Sequence, residues 1–446
     1  MEQIKARQNV ATRSIQLNGK LDFKLAPNTN LTLGGAFDYG SGHDFTYTYS
    51  LFNPQNNSQT INTTWRTYAR INQKFGTPQS GVEKEKTQSL VSNAYFTFLA
   101  SYEQAKSKTQ DDTHKDNLFD YGYIGKFNYN VDTNNFVLQG NTDSLYLQRS
   151  VNIRGPISFE RSEKNSTSAN YTSQVFDYFG TVNRMDNVAT ANGIRNGDRQ
   201  NSIYSLFLPT GRQFNGYGFT NRTQLRFASS FSADFKNHAI MVGVEYDQRN
   251  QSGYQVNPIG LWERMRLLVN SHLEKGTLPY YQIPNSDPNA PPTYTTRWTY
   301  NPEEQTQIDK SLRELLGTTI TDQRIINTDA LNPEDLKLSM FSASDLISPA
   351  SGGALVTYYG YDYLGNKDKN STSIDKFLND KDANGNNTFH VGAFKPIYVA
   401  GYIQDRFDFR DIKFNVGVRV DRFDANQKVL KDKYLFHEAF TAGEIS

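Results

Sequence analysis

The chain has 446 residues, and its 47 Lys+Arg against 46 Asp+Glu leave a formal net charge of +1, so bulk charge gives no reason to expect nucleic acid, an acidic lipid surface or a polyanion as partner. A hydrophobic fraction of 37% and a mean hydropathy of −0.68 argue against a large dry core, while 27 Tyr, 29 Phe and 3 Trp argue against disorder. Cysteine is absent, which excludes a disulfide framework and thiolate metal sites, and no run approaches the ~20 consecutive apolar residues of a transmembrane helix.

Residues 1–16 hold charges with no apolar stretch of ~7–15 residues behind them, so they do not read as a signal peptide. An outer-membrane protein needs such a leader, and the expectation is that the front of the gene is missing here. Period-two alternation begins at 14–25, where Ile15, Leu17, Leu21, Phe23 and Leu25 share one face and Gln16, Asn18, Lys20, Asp22 and Lys24 the other. A turn at 26–30 and a second run at 31–40, with Leu31, Leu33, Phe37 and Tyr39 on one face, complete a hairpin signature. Weaker strand candidates follow at 62–76, 89–104, 119–131 and 134–147, and the pairing within 148–217 is not readable.

Alternation returns at 224–250, turning near Lys236-Asn237-His238, with Leu225, Phe227, Phe231, Ile240, Val242 and Val244 opposed to Arg226, Ser230, Glu245 and Asp247. A long excursion over 251–395 comes next, predicted as one large external loop region. Within it, 301–319 reads as a short helix capped by Asn301 and stopped by Gly317, with Ile308, Leu312, Leu315 and Leu316 on one stripe. Pro-rich 284–292 and Asn/Asp-rich 365–387 read as loop. The last clear hairpin is 396–426, turning at Arg410-Asp411, where Phe414, Val416, Val418 and Val420 oppose Asn415, Gly417, Arg419 and Asp421.

In all, about eleven or twelve strands are predicted, many of ten or more residues against the ~5–6 usual in soluble proteins. Crossing a tilted bilayer path needs about 9–11 residues, and short turns at one rim with long loops at the other mark outer-membrane barrels. The expected fold is therefore all-β: an antiparallel transmembrane β-barrel, partial, with long extracellular loops, residues 1–446 forming part of one barrel domain.

The segment 396–426 carries a resemblance. Tyr402, Gln404 and Asp405 before the turn, with Gly417, Arg419 and Asp421 after it, resemble the mid-barrel pattern of TonB-dependent outer-membrane receptors. Residues 114–127 and 381–405 look like the branch bearing an N-terminal carboxypeptidase-regulatory-like domain, and the close likeness covers about a third of the chain. The resemblance implies a plugged barrel of about 22 strands, of which this chain supplies roughly half. It implies TonB as partner through a plug and TonB box outside this chain, outer-membrane lipid around it, an unidentified external substrate and, in some relatives, a surface lipoprotein. The end of the chain, 437–446, is not a terminal strand closing on an aromatic residue.

No soluble-enzyme motif is present: there is no Gly-x-Ser-x-Gly elbow, P-loop, Rossmann glycine pattern or His-Glu-x-x-His. The six histidines, His43, His114, His238, His272, His390 and His437, are scattered and read as surface or turn residues. Asp380, Asp382, Asn384 and Asn386 sit at alternate positions around Gly385 like the first half of a calcium loop, but Val391 stands where its bidentate Glu belongs. A solvated Asn/Asp turn is the better reading, so no cofactor is expected. Tyrosine-rich 46–50 and 121–123 are assigned to an aromatic girdle where they fall on strands; 358–363 divides between ligand stacking and loop packing.

The expected function is therefore a non-enzymatic substrate-uptake receptor of the outer membrane. Loops within 251–395 would recognise the substrate, while Glu245, Asp247, Arg419 and Asp421 line the lumen. A passive porin would share the alternation without a plug. A secreted β-rich glycan-binding protein or glycoside hydrolase would show shorter strands and a soluble fold.

Overall fold

The computed structural model describes residues 3–75, 91–132, 136–139, 146–149, 152–274, 278–279, 281–283, 293–295, 302–348, 353–368, 373–409, 412–429 and 434. The predicted turn at 410–411, the Pro-rich segment 284–292, His437 and the end at 437–446 lie outside them. In chain order the first strands are β1 (Thr12–Ala26), β2 (Thr29–His43), β3 (Gln59–Phe75) and β4 (Val91–Gln110). Short strands follow: β5 (Gly125–Asp132), β6 (Phe136–Gln139), β7 (Tyr146–Arg149) and β8 (Asn152–Arg161). Next come the long β9 (Tyr217–Phe235) and β10 (His238–Val256), then the minor β11 (Leu278–Pro279), β12 (Tyr281–Ile283), β13 (Thr293–Thr295) and β14 (Val356–Tyr359). β15 (Ile397–Phe409) and β16 (Ile412–Asp424) complete the set.

The frame is one antiparallel sheet in the order β1-β2-β3-β4-β9-β10-β15-β16, with β14 added to the far end of β10. Because successive side chains alternate faces, register decides what each face carries. One row crosses all eight strands: Phe23, Leu31, Ile71, Phe98, Ser229, Val244, Gly401 and Val420 are successive partners. The adjacent row on the same face reads Leu21, Leu33, Ala69, Ala100, Phe227, Tyr246, Val399 and Arg422. Among the described residues nothing covers this apolar face: Leu17 is 60% exposed, Val244 57% and Val418 64%. The edge strands β1 and β16 are exposed along their whole length.

The two rims differ. β1–β2, β9–β10 and β15–β16 are joined by two residues each at one rim. At the other rim, β2 is joined to β3 through 44–58, β4 to β9 through 111–216, and β10 to β15 through 257–396. The predicted single excursion at 251–395 is thus corrected. β10 runs on to Val256, and a second insertion of comparable size, unreadable in the sequence, sits on the same rim. The strand predicted at 119–131 begins only at Gly125.

The buried core lies in these insertions. Helices α1 (Ser166–Phe179) and α2 (Met185–Thr190) belong to the first, and α3 (Gly260–Leu268), α4 (Ser271–Glu274), α5 (Gln307–Leu315), α6 (Ala343–Ile347) and α7 (Ile374–Asn379) to the second. Phe119 and Tyr123 of the first insertion pack with Trp262, Met265, Ile308 and Leu312 of the second, so both fold as one cap. The Trp262 indole anchors it, donating from Nε1 to the Phe119 carbonyl (3.1 Å) and stacking on Tyr123 (5.4 Å between ring centroids). A smaller cluster joins Ile124, Phe127, Ile157, Val182 and Val188. The assignment of Tyr121 and Tyr123 to a girdle is corrected: both are buried in the cap, as is Tyr361, which meets Phe219 edge-on.

The predicted helix at 301–319 forms as α5, but Thr306 caps it, its side chain accepting from the Asp309 amide, and Gly317 ends it at φ 68°. Ile308 and Leu312 are buried; Leu315 and Leu316 are exposed, because the stripe beside them goes to a buried ion pair. Arg313 Nε lies 2.8 Å from Asp309 Oδ2, and Gln305 and the Asn270 amide also donate to that carboxylate. His272 is buried beside it, Nδ1 3.8 Å from Asp309 Oδ2. Burial, opposed by Asp309 and reinforced by Arg313, pulls the His272 imidazole below its ordinary 6.5. A pKa depressed by folding means a contribution present above pH 6.5 and lost as pH falls below it. The protection of α5 against hydrogen exchange, corrected for the intrinsic pH dependence of the amide rate, should accordingly fall between pH 7.5 and 5, and that step should shrink in His272→Gln; an identical protection profile in the variant would refute the assignment.

Candidate functional site on the polar face

Opposite the apolar rows, the sheet presents polar side chains, and the residues singled out in 396–426 meet there. In register, Tyr402 faces Gly243 on one side and Arg419 on the other, Gln404 faces Gly417, and Ala400 separates Glu245 from Asp421. The Tyr402 ring occupies the space where a β-carbon on Gly243 would stand, so glycine is required on β10. The Arg419 guanidinium carbon lies 5.7 Å from the Tyr402 ring centroid. Gly417 lets the backbones approach equally closely: a β-carbon there would stand 3.0 Å from the Ile403 carbonyl oxygen. Gln404 donates from Nε2 to Asn415 Oδ1 at 2.5 Å.

The charges form a compensated chain. Arg226 Nη2 is 3.4 Å from Glu245 Oε2, Arg419 Nη2 is 3.4 Å from the same oxygen, and Arg419 Nε is 2.9 Å from Asp421 Oδ1. The Tyr398 hydroxyl accepts from Arg419 Nη2 (2.9 Å) and donates to Asp421. Asp247 takes a hydrogen bond from Gln224 and lies 3.6 Å from Arg249 Nε. Above this chain, toward the insertion rim, a recess of about 540 Å³ opens between Arg226, Glu245, Asp247 and Arg249 on one side and Phe394, Tyr398 and Phe423 on the other.

Seven of the eight predicted residues therefore share the polar face: Tyr402, Gln404, Gly417, Arg419, Asp421, Glu245 and Asp247. Asp405 does not, and this is a correction. Parity places it on the apolar face, in register with Ile240 and Val416, where its Oδ2 lies 2.7 Å from His238 Nδ1 near the short-turn rim. Sequence reading missed the roles of Arg226, Tyr398 and Gln224. Their parity was legible, but the cross-strand neighbours that make them a network were not.

Asp380, Asp382, Asn384 and Asn386 fall in a tight turn in which Asp382 Oδ1 accepts from the Asn384 and Asn386 amides (both 2.9 Å). The same arrangement recurs one turn earlier, where Asp362 Oδ1 accepts from the Leu364 and Asn366 amides. This carboxylate is engaged by its own backbone, and among the described residues no three His, Asp or Glu side chains are grouped to hold a metal ion. The reading of the histidines as surface or turn residues is corrected for His114 and His272, which are buried; His238 is exposed beside the turn, and His43, His238 and His390 each lie within 3.0 Å of a carboxylate oxygen.

No protein-family model matches the chain, and no curated protein matches it. The close fit of Tyr402 over Gly243 makes a direct prediction. Gly243→Val should displace the ring, lower stability by about 1–3 kcal/mol and lose the Arg419 contact. Adding Tyr402→Ala should recover part of that loss in a melting experiment; an additive loss would show that the two do not compete for one space.

Proposed function

We propose that this chain is part of the barrel wall and external cap of a TonB-dependent outer-membrane receptor, which binds an unidentified substrate outside and imports it. The observation that carries the reading is the uncovered apolar face. It runs in register across eight strands, and on β16 it extends from Ile412 to Val420, close to the ~9–11 residues that cross a tilted bilayer path. In water such a surface is a liability, whereas hydrocarbon makes it neutral or favourable. A soluble sandwich would bury this face under a second sheet; here it stands open.

Three further features agree with the reading. Aromatic residues bound the apolar rows at both ends: Phe37 and Trp65 are partners, with Tyr102 5.1 Å from the Trp65 ring, and Phe235, Phe407 and Phe414 lie at the short-turn rim. Three two-residue connections lie at one rim, where β3 and β4 are joined through 76–90, and both of the large insertions lie at the other. Both edge strands are bare, so in the proposed barrel further strands pair with β1 and β16. The polar face then looks into the lumen, where the Arg226–Glu245–Arg419–Asp421 chain supports a plug, and TonB acts through that plug.

The test is membrane partition. The chain should float with lipid vesicles and resist extraction by urea. Val418→Arg, in mid-face, should cost about 2–4 kcal/mol of insertion, and Asn415→Arg, on the polar face, far less. A chain that stays monomeric and folded in buffer without detergent would sink the proposal.

A further inference from the structure

We propose that the outward, apolar face ends at a binding site for anionic lipid, where Lys106 and Lys108, with Arg13 as an outlying contact, hold headgroup phosphate at the insertion rim. The inference rests on the reading of this face as lipid-exposed and goes beyond it by naming the lipid chemistry.

Register follows the face past the end of its apolar rows. On β4 the outward positions run Phe98, Ala100, Tyr102, Gln104, Lys106 and Lys108 toward the insertions. The change from apolar to polar falls at one row: Trp65 Nε1 donates to Gln104 Oε1 (3.0 Å), and Gln104 Nε2 donates to Asn221 Oδ1 (3.0 Å). Side-chain hydrogen bonds thus cross β3, β4 and β9 where the Trp65 and Tyr102 rings meet, as expected at a membrane–water boundary. Lys106 stands on the row beyond, in register with Thr63 and Asn221, and Lys108 one row further, in register with Ile61 and Phe219. Arg13 shares the row of Lys108 three strands away, about 14 Å at the usual strand spacing.

Charge on this face is unevenly compensated. Along the eight strands its Asp, His and remaining Arg side chains are matched: His238 with Asp405 (2.7 Å), His43 with Asp112 (3.0 Å) and Arg422 with Asp424 (3.4 Å). Arg13, Lys106 and Lys108 have no carboxylate partner among the described residues, and all three lie toward the insertion rim. Lys106 is exposed and Lys108 half-buried. The Lys108 ammonium lies 5.2 Å from the Tyr217 ring centroid, which positions it without neutralising it. Two residues apart on one strand face, the lysines stand about 7 Å from each other, so one anion between them relieves their repulsion. Their place just beyond an aromatic row fits a lipid phosphate, because acyl chains can lie along the apolar rows while the lysine stems reach up to the headgroup.

Trp65, one row from Lys106 and 38% exposed, is a built-in reporter. Brominated phosphatidylglycerol and brominated phosphatidylcholine, each mixed into phosphatidylcholine vesicles holding the folded chain, are compared by their quenching of the fluorescence that Trp65→Phe removes. Phosphatidylglycerol should occupy the site about fivefold or more in preference, the ratio expected for about 1 kcal/mol per cation near an anionic headgroup. Replacing both lysines, Lys106→Gln with Lys108→Gln, should bring the two lipids to parity; continued quenching by phosphatidylcholine shows that the variant stays inserted. Raising salt from about 0.1 M to about 1 M should act in the same direction. Arg70→Gln, the same charge change on the polar face of β3, should leave the preference unaltered. Equal quenching by the two lipids in the parent chain, a preference that survives the double variant, or an equal loss in Arg70→Gln overturns the site and leaves the receptor reading standing. Absence of Trp65 quenching by either lipid overturns both.

Discussion

Side-chain parity, carried without slippage from strand to strand, is the constraint on which the rest depends. A one-residue slip between any two long strands would send apolar residues to the polar face and break both surfaces at once. Across the eight-strand frame the register is interrupted only between Lys24 and Ala26 at a turn and between Ser92 and Tyr95 near a strand end. The alternation of each strand therefore adds up to two coherent faces. One is predominantly apolar and exposed; the other carries paired charges across β9, β10, β15 and β16. Among the described residues no protein segment packs against the apolar face.

Burial is found at one rim. The insertions supply most of its aromatic and aliphatic side chains, and they close around Trp262 and the Ile308–Leu312 stripe. The Asp309–Arg313 pair within that core is surrounded by donors from Gln305 and the Asn270 amide, which makes a buried charge pair tolerable. The molecule thus has two separate sources of stability. Backbone pairing, and in the proposed setting hydrocarbon, hold the wall; a conventional core holds the cap. β10 links them, since its far end pairs with β14 and buries Tyr254 and Val256 in the cap core.

Charge is managed differently in the two parts. On the wall, guanidiniums and carboxylates alternate across strands, and exposed pairs of this kind add little stability individually. Their effect is to compensate the charge of a crowded polar surface over β9, β10, β15 and β16.

What the sequence by itself determined is the part governed by nearest neighbours along the chain. Alternation at 14–25, 224–250 and 396–426 identified strands and faces, Gly317 marked a helix end, and Tyr402, Gly417, Arg419 and Asp421 were legible as a group on one face. Tertiary structure alone decided what lies beside what. It extended β10 into the cap, revealed that 111–216 and 257–396 form one core, moved the helix cap from Asn301 to Thr306, and put Asp405 on the apolar face. It also brought Arg226 to Glu245. These depend on contacts between residues far apart in the chain, set by strand register and loop packing, and period-two or helical periodicity holds no information about them.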